Sequence, residues 1–415
     1  MKIKAYREDG EIDLDPLKRL AEIGEKRGRE LLKCYQERPL PLYFLAEQMG
    51  KDVLTTLDHL SSDPSIEVHC RLGNVAETKA ARALLEKAED IVVDEMTLAT
   101  LLICGVHEHL AKSPKRLIVS EGTLLSIENW DVMRIDPNSR GGSVGIVDGR
   151  LTLSEMTREG VERTQEGIRR LVGIVKEHCA IESGVPLSRM GSEKRDTLVK
   201  VVGRACAESM ALASSGQRVL WTDDLGTSLL LTNEFGAGRV WTQLVFEHFA
   251  QHGSVDPQAV SELSLNLNSL GYWFTSLNAR IAQAAIVKSN WDVEKSPLKE
   301  VLGHFGDRRV TLDANLLLMA GKGVKYSWSN DRRVMKAPDV TYRILEQLGQ
   351  RGDPVLLAST LWMLLEGLLA ADVGRAQFVS KIIENWLGPR GLCQARKTAL
   401  LWPNPAGRRM NRMGE

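Results

Sequence analysis

Ile91-Val92-Val93-Asp94 is a short β-branched run that ends in a carboxylate, and an apolar helical pattern, Leu98 to Leu110, follows it directly. This reads as a buried strand feeding a helix. The same logic recurs downstream. Arg116-Leu117-Ile118-Val119 reads as a second strand, Ser120 as a cap and Thr123 to Trp130 as a helix. Arg218-Val219-Leu220-Trp221 reads as a third strand and ends in Thr222-Asp223-Asp224. Strands alternating with helices imply βαβ crossovers and a mostly parallel sheet, hence an α/β fold.

Arg134 to Leu153 is glycine-rich and holds Asp148-Gly149 between two short runs, the turn chemistry of a tight hairpin inserted into the alternation. Two long helices are expected next, Ser154 to His178 and Arg195 to Ser214. Gly236-Ala237-Gly238 reads as a helix C-terminal cap, followed by a short strand at Arg239-Val240-Trp241. The expected domains are a helical region over 1–79, an α/β domain over 80–285 with its hairpin insertion at about 134–153, a helical region over 286–400 and a basic flexible tail over 401–415. Leu17 to Tyr35, Leu42 to Met49 and Val75 to Asp90 supply the helical patterns before the sheet.

The chain has 415 residues, 43% of them apolar and 26% charged, which fits a soluble globular protein and excludes disordered and collagenous classes. Lys plus Arg equals Asp plus Glu at 54 each, so no bulk charge draws the protein to polyanions. The six cysteines contain no Cys-x-x-Cys pair and read as reduced thiols. No signal-peptide pattern opens the sequence, and the apolar stretch Val355 to Ala371 is broken by Glu366. A cytoplasmic protein without a membrane span is the expectation.

In an open parallel sheet, ligands bind outside the carboxyl ends of the strands. Asp94, Asp223 and Asp224 stand there, and Glu208 lies in the otherwise small and apolar Ala207-Glu208-Ser209-Met210-Ala211-Leu212-Ala213. Crowded carboxylates repel one another unless a cation neutralises them. An oxygen-only donor set favours Mg²⁺ or Mn²⁺, and the matching chemistry is phosphodiester hydrolysis. The competing reading is that an aspartate just after a strand serves as a helix cap or turn residue.

The order strand-Asp94-helix, the Glu208 helix, then strand-Thr222-Asp223-Asp224 resembles the PIN-like nuclease superfamily. Arg239-Val240-Trp241, Leu244 to His252 and Leu270-Gly271-Tyr272-Trp273-Phe274 echo later elements of the same branch. The resemblance runs from about Ala80 to Ala285. It implies a three-layer α/β/α domain and a metal-dependent endonuclease acting on RNA, weakly or conditionally. Asp94, Glu208 and Asp224 would be metal ligands, Asp223 would stand beside them, and Thr222 would position a water or a carboxylate. The sequence departs from the pattern at Ser126, where the family places a glutamate; Glu128 and Glu121 are its nearest acids. The alternative is a catalytically degenerate scaffold that binds nucleic acid or protein as a regulatory module. The expected partners are RNA and a protein regulator or antitoxin-like inhibitor.

Other candidates carry less chemistry. His107 and His109 cannot share a helix face, and His248 and His252, at i and i+4, lack the glutamate of His-Glu-x-x-His and read as a surface pair. Gly321-Lys322-Gly323 reads as a turn. Lys325, Arg332 and Arg333 near Trp328 could grip single-stranded nucleic acid by charge and stacking, although Trp328 sits in helical surroundings that favour a core position.

Overall fold

The computed structural model describes residues 15–63, 66–133, 142–147, 150–155, 157–273, 276–310, 314–329, 333–351 and 372–387, together with 361, 362, 365 and 369. The tail over 401–415, Arg332 and the Asp148-Gly149 turn lie outside them. The chain divides into two compact units, Met1–Leu263 with Leu270–Phe274, and Ser264–Ser269 with Thr275–Glu415.

In the first unit, helices α1 (Asp15–Glu37), α2 (Leu42–Met49), α3 (Val53–Ser62) and α4 (Val75–Lys87) precede the sheet. Then come β1 (Asp90–Val93), α5 (Glu95–Ile103), β2 (Arg116–Ser120), α6 (Glu121–Met133), and the hairpin β3 (Gly142–Val147) and β4 (Arg150–Glu155). They are followed by α7 (Arg158–His178), β5 (Cys179–Glu182), α8 (Val185–Ser188), α9 (Ser192–Ala213), β6 (Arg218–Trp221), α10 (Leu225–Phe235), β7 (Arg239–Val240) and α11 (Thr242–Gln251); α12 (Pro257–Ser269) comes next, and its residues from Ser264 on belong to the second unit.

The sheet has five parallel strands in the order β5-β2-β1-β6-β7. Both faces are buried, so the strands read as continuous apolar runs rather than alternating ones. Val92, Ile118 and Leu220 pack with Val202, Ala207, Met210 and Ala211 of α9. On the other face Trp221 meets Phe246 and Phe249 of α11 edge-on, and its indole N–H donates to Thr242 Oγ1 at 3.0 Å. The result is a three-layer α/β/α architecture, the one the PIN-like resemblance implies, with helical segments before and after it in the chain. Successive strands step outward from β1 to β2 and β5, and the chain then returns to lay β6 on the other side of β1. The switch point therefore lies between β1 and β6, the place where such sheets bind ligands.

Several local expectations are corrected. β5 interposes between the two long helices, because Cys179–Glu182 pairs with Leu117 to Ser120. Ser154 and Glu155 belong to β4, paired with Ser143 and Gly142, instead of opening α7. Helix α3 and helix α8 carried no recognised sequence signal. His248 is 4% exposed beneath α4, and its Nδ1 faces Glu86 at 3.4 Å, so it is no surface residue. His107 is buried in a 3-10 turn. Gly236 caps α10 in the left-handed region at φ 61°, as expected. Leu270-Gly271-Tyr272 also has a physical role. Gly271, at φ 76°, lets the backbone approach Ile66, and the Tyr272 hydroxyl bonds Thr100 Oγ1 at 2.6 Å.

The second unit is helical: α13 (Ala279–Lys288), α14 (Leu298–Gly306), α15 (Ala314–Ser329), α16 (Ala337–Gly349) and α17 (Val373–Leu387). Its core holds Trp291, Trp328 and Trp386 with Phe305 and Ile344. Gly321-Lys322-Gly323 lies inside α15 and is not a turn.

Candidate active site

Asp94 follows β1 and Asp224 follows β6, and these strands pair so that Val93 faces Trp221. Asp94 therefore stands level with Thr222 at the switch point, and Asp224 lies two residues further along the chain. Each caps the helix that begins there. Asp94 Oδ1 accepts from Thr97 N at 2.8 Å, while Asp224 Oδ1 accepts from Gly226 N at 2.9 Å. A carboxylate in this position satisfies orphan amide donors and the positive end of the helix dipole.

Thr222 connects the pair. Its hydroxyl accepts from Asp224 N at 3.2 Å and bonds the Asp94 carboxylate. Asp94 is 1% exposed, and burial pushes its carboxyl up to about 7, with Asp224's charge adding to the effect against the hydrogen bonds from Thr222 and Thr97. Burial raises Asp224 as well, opposed by the donors on it. These are Thr227 Oγ1 at 2.8 Å and Leu42 N at 2.7 Å, both on Oδ2. The donor to Asp224 from Leu42 comes from the first residue of α2.

Asp223 points the other way along the chain. Its Oδ1 accepts from Thr242 N at 2.8 Å, its Oδ2 accepts from the Thr242 hydroxyl, and the Cys70 thiol lies 3.6 Å from Oδ1. Asp223 therefore caps α11, and consecutive acids serve two different helices. Glu208 reaches the sheet edge one column over, above β2 and β5. Its Oε2 accepts from Gly122 N at 2.9 Å, at the start of α6, and its Oε1 pairs with Arg204 Nε at 2.7 Å. Gly122 and Gly184 leave the space that the Glu208 side chain fills.

One residue escaped the reading of the sequence. Glu95 follows Asp94 directly, is 5% exposed, and accepts from Ser126 Oγ at 2.6 Å and Trp130 Nε1 at 3.2 Å. Burial pushes it up to about 7. Ser126, the position that lacks the resemblance's second acid, thus meets a carboxylate supplied by α5. The signal was present in the adjacent Asp94-Glu95, but a first-turn glutamate reads as ordinary helix chemistry. Glu128 pairs instead with Lys176 at 2.6 Å. Burial raises the Cys206 thiol, the charges of Asp94, Asp224 and Glu95 add to this, and its contact with Thr227 Oγ1 at 3.6 Å opposes it.

Among the described residues, no group of three or more His, Cys, Asp or Glu side chains is arranged to hold a metal ion. Asp94 and Asp224 do fit a hard cation by donor chemistry: two buried carboxylates at one sheet edge, oxygen only, each raised by burial. Mg²⁺ takes one or two carboxylates and keeps its remaining waters. Glu208 does not join them.

Of the weaker candidates, Lys325 and Arg333 are exposed in the second unit, whereas Trp328 is 4% exposed and donates to Thr341 Oγ1 at 2.9 Å. A buried, hydrogen-bonded indole offers no stacking face to a base.

Residues 92–231, about a third of the chain, match the family described as the PIN domain associated with the TPR-GreAB-C-PIN system. The chain carries a PIN-like domain. The match begins inside β1 and ends inside α10, so it spans Asp94, Glu95, Glu208, Thr222, Asp223 and Asp224 and supports a nuclease-type scaffold. The Leu270-Gly271-Tyr272 element of the PIN-like resemblance lies beyond it. Neither the curated proteins nor the solved structures gave a match. Among the described residues no helix is long and apolar enough to cross a membrane.

Proposed function

We propose that the PIN-like domain is a conditionally active endonuclease that hydrolyses phosphodiester bonds in RNA with Mg²⁺ or Mn²⁺ held by Asp94 and Asp224. The observation that carries this reading is the Thr222 hydroxyl at the sheet's switch point, which bonds the Asp94 carboxylate and accepts the Asp224 backbone N–H. When bound, the cation supplies an activated water and charge stabilisation for the leaving oxygen. The chain's own residues do the rest. Thr222 orients Asp94 and fixes the Asp224 backbone. The N-termini of α5 and α10 aim positive dipole ends at the edge, where phosphate oxygens would lie. Glu208 holds the start of α6 in place and is a positioning residue. The preference for RNA rests on the resemblance, and free thiols at Cys34, Cys70, Cys104, Cys179 and Cys206 suit the cytoplasm.

The test is cleavage of single-stranded RNA by purified protein with Mg²⁺ or Mn²⁺, against Asp94→Asn. Cleavage lost in the variant supports the reading. Wild-type protein that cleaves nothing and shows no cation-dependent rise in Tm ends it.

A second reading has its own support. Both oxygens of Asp223 and of Asp224 already accept hydrogen bonds from the chain itself. A degenerate PIN-like scaffold that binds RNA or a protein regulator, antitoxin-like inhibitors included, would use them in this way. RNA or protein binding indifferent to EDTA and to Asp94→Asn would favour it.

A further inference from the structure

The switch-point edge is covered by the chain itself. Between α1 and α2, Pro39-Leu40-Pro41 crosses the start of α10 so closely that a Cβ at Gly226 would collide with the backbone of Leu40 and Pro41. Pro41 stands at the N-cap of α2 and makes no side-chain cap bond. The helix instead borrows one from Asp224, whose Oδ2 accepts the Leu42 N–H at 2.7 Å. Asp224 thereby caps two helices, α10 from within and α2 from 182 residues away. The next residue, Tyr43, lays its ring where α9 breaks at Gly203. That glycine sits at φ 76°, and a Cβ there would strike the Tyr43 ring. Tyr43 also lies near enough to Glu95 for that carboxylate's charge to help raise its hydroxyl, after burial and Glu47.

The segment is fastened at both ends. On one side Tyr35 stacks on His69 with ring centroids 4.9 Å apart, and Gln36 exchanges hydrogen bonds with the Glu67 backbone at 2.8 and 3.1 Å. On the other, Leu45 and Ala46 are buried.

We propose that Pro39–Tyr43 is a strap that closes the Asp94–Asp224 edge, and that single-stranded RNA reaches these carboxylates only when the strap lifts. This rests on the reading of that edge as a phosphodiester site. It gives the conditional activity a physical source: Asp224 Oδ2 cannot serve a cation fully while it caps α2, and the α10 N-terminus cannot receive phosphate while Leu40 and Pro41 lie on it.

Hydrogen exchange of the full-length wild-type protein, followed by mass spectrometry over peptides containing Leu40 to Tyr43, tests this with and without single-stranded RNA and Mn²⁺. The strap predicts faster exchange at Leu42 when both are present. It also predicts that Tyr43→Ala binds the same RNA several-fold more tightly. RNA that binds in a Mn²⁺-dependent manner while Leu42 stays as protected as in the free protein overturns the strap and leaves the nuclease reading standing. If Tyr43→Ala exposes Leu42 to exchange and still neither binds nor cleaves RNA with Mn²⁺, the edge is not an RNA site and both ideas fall. Should Tyr43→Ala fold poorly, the wild-type exchange comparison decides alone.

Discussion

The backbone N–H of Leu42 donates to Oδ2 of Asp224 at 2.7 Å, so a helix outside the sheet depends for its cap on an acid at the sheet's ligand-binding edge. Removing that acid leaves amide donors of two helices without their acceptor at once. A single cap is worth about 1 kcal/mol, and each buried donor left unsatisfied costs about 1–3 kcal/mol. Asp224→Ala should therefore lose about 2–4 kcal/mol in urea denaturation. Asp224→Asn, which keeps one acceptor oxygen, should lose less. Equal stability of Asp224→Ala and wild type would show that neither helix relies on this cap.

Asp94 and Glu95 make the first unit sensitive to pH. Burial raises their carboxyls from the ordinary 3.8 and 4.5 up to about 7. Between about 4 and 7 the folded protein keeps protons that the unfolded chain has released. The stability these groups contribute is thus fully present below about 4 and is lost as pH rises through about 7. Asn and Gln mimic the protonated forms. Relative to wild type, Asp94→Asn and Glu95→Gln should gain stability between pH 5 and pH 8, which thermal melts across that range will measure. A constant offset would mean that neither carboxyl titrates in this window.

The same linkage gives a cation response its direction. A divalent ion at Asp94 and Asp224 must displace the proton, so the Mn²⁺-dependent rise in Tm should be larger at pH 8 than at pH 6, and absent in Asp94→Asn. Glu208→Gln should retain the rise, because that side chain serves Gly122 and Arg204. Gln keeps an acceptor oxygen for Gly122 N, so its own cost should be that of the charge-assisted bond between Arg204 and the buried Glu208, about 1–3 kcal/mol. Loss of the Mn²⁺ response in Glu208→Gln would return that residue to the ligand set.

Gly203 is the most constrained position of α9. Its φ of 76° disfavours any side chain, and the Tyr43 ring occupies the space a Cβ would need. Gly203→Ala should lose about 1–3 kcal/mol, the usual range for a strained backbone conformation. Gly173, in α7 with open space around it, should accept alanine without loss. Comparable melting temperatures for the two variants would refute the strain argument.

Much of the α/β core was legible because its signals are local. Ile91 to Val93, Arg116 to Val119 and Arg218 to Trp221 form strands where their β-branched and apolar runs say they should, and Asp94 and Asp224 cap helices as residues after strands often do. β5 was missed because Cys179–Glu182 has no strong pattern of its own; pairing with β2 makes it a strand. Trp328 carried two readings, and burial decided between them.

The sequence by itself determined that acids would stand at the carboxyl ends of parallel strands, because strand-helix alternation fixes where each chain segment turns. Only the tertiary structure decided what each acid does there. Asp94 and Asp224 share Thr222, Asp223 turns to α11, Glu208 to α6, Glu95 meets Ser126, and Leu42 covers the edge. The reason is physical. A carboxylate takes whichever donors the packing brings within about 3 Å, and here those donors come from as far as 182 residues away, a distance along the chain that no local pattern encodes.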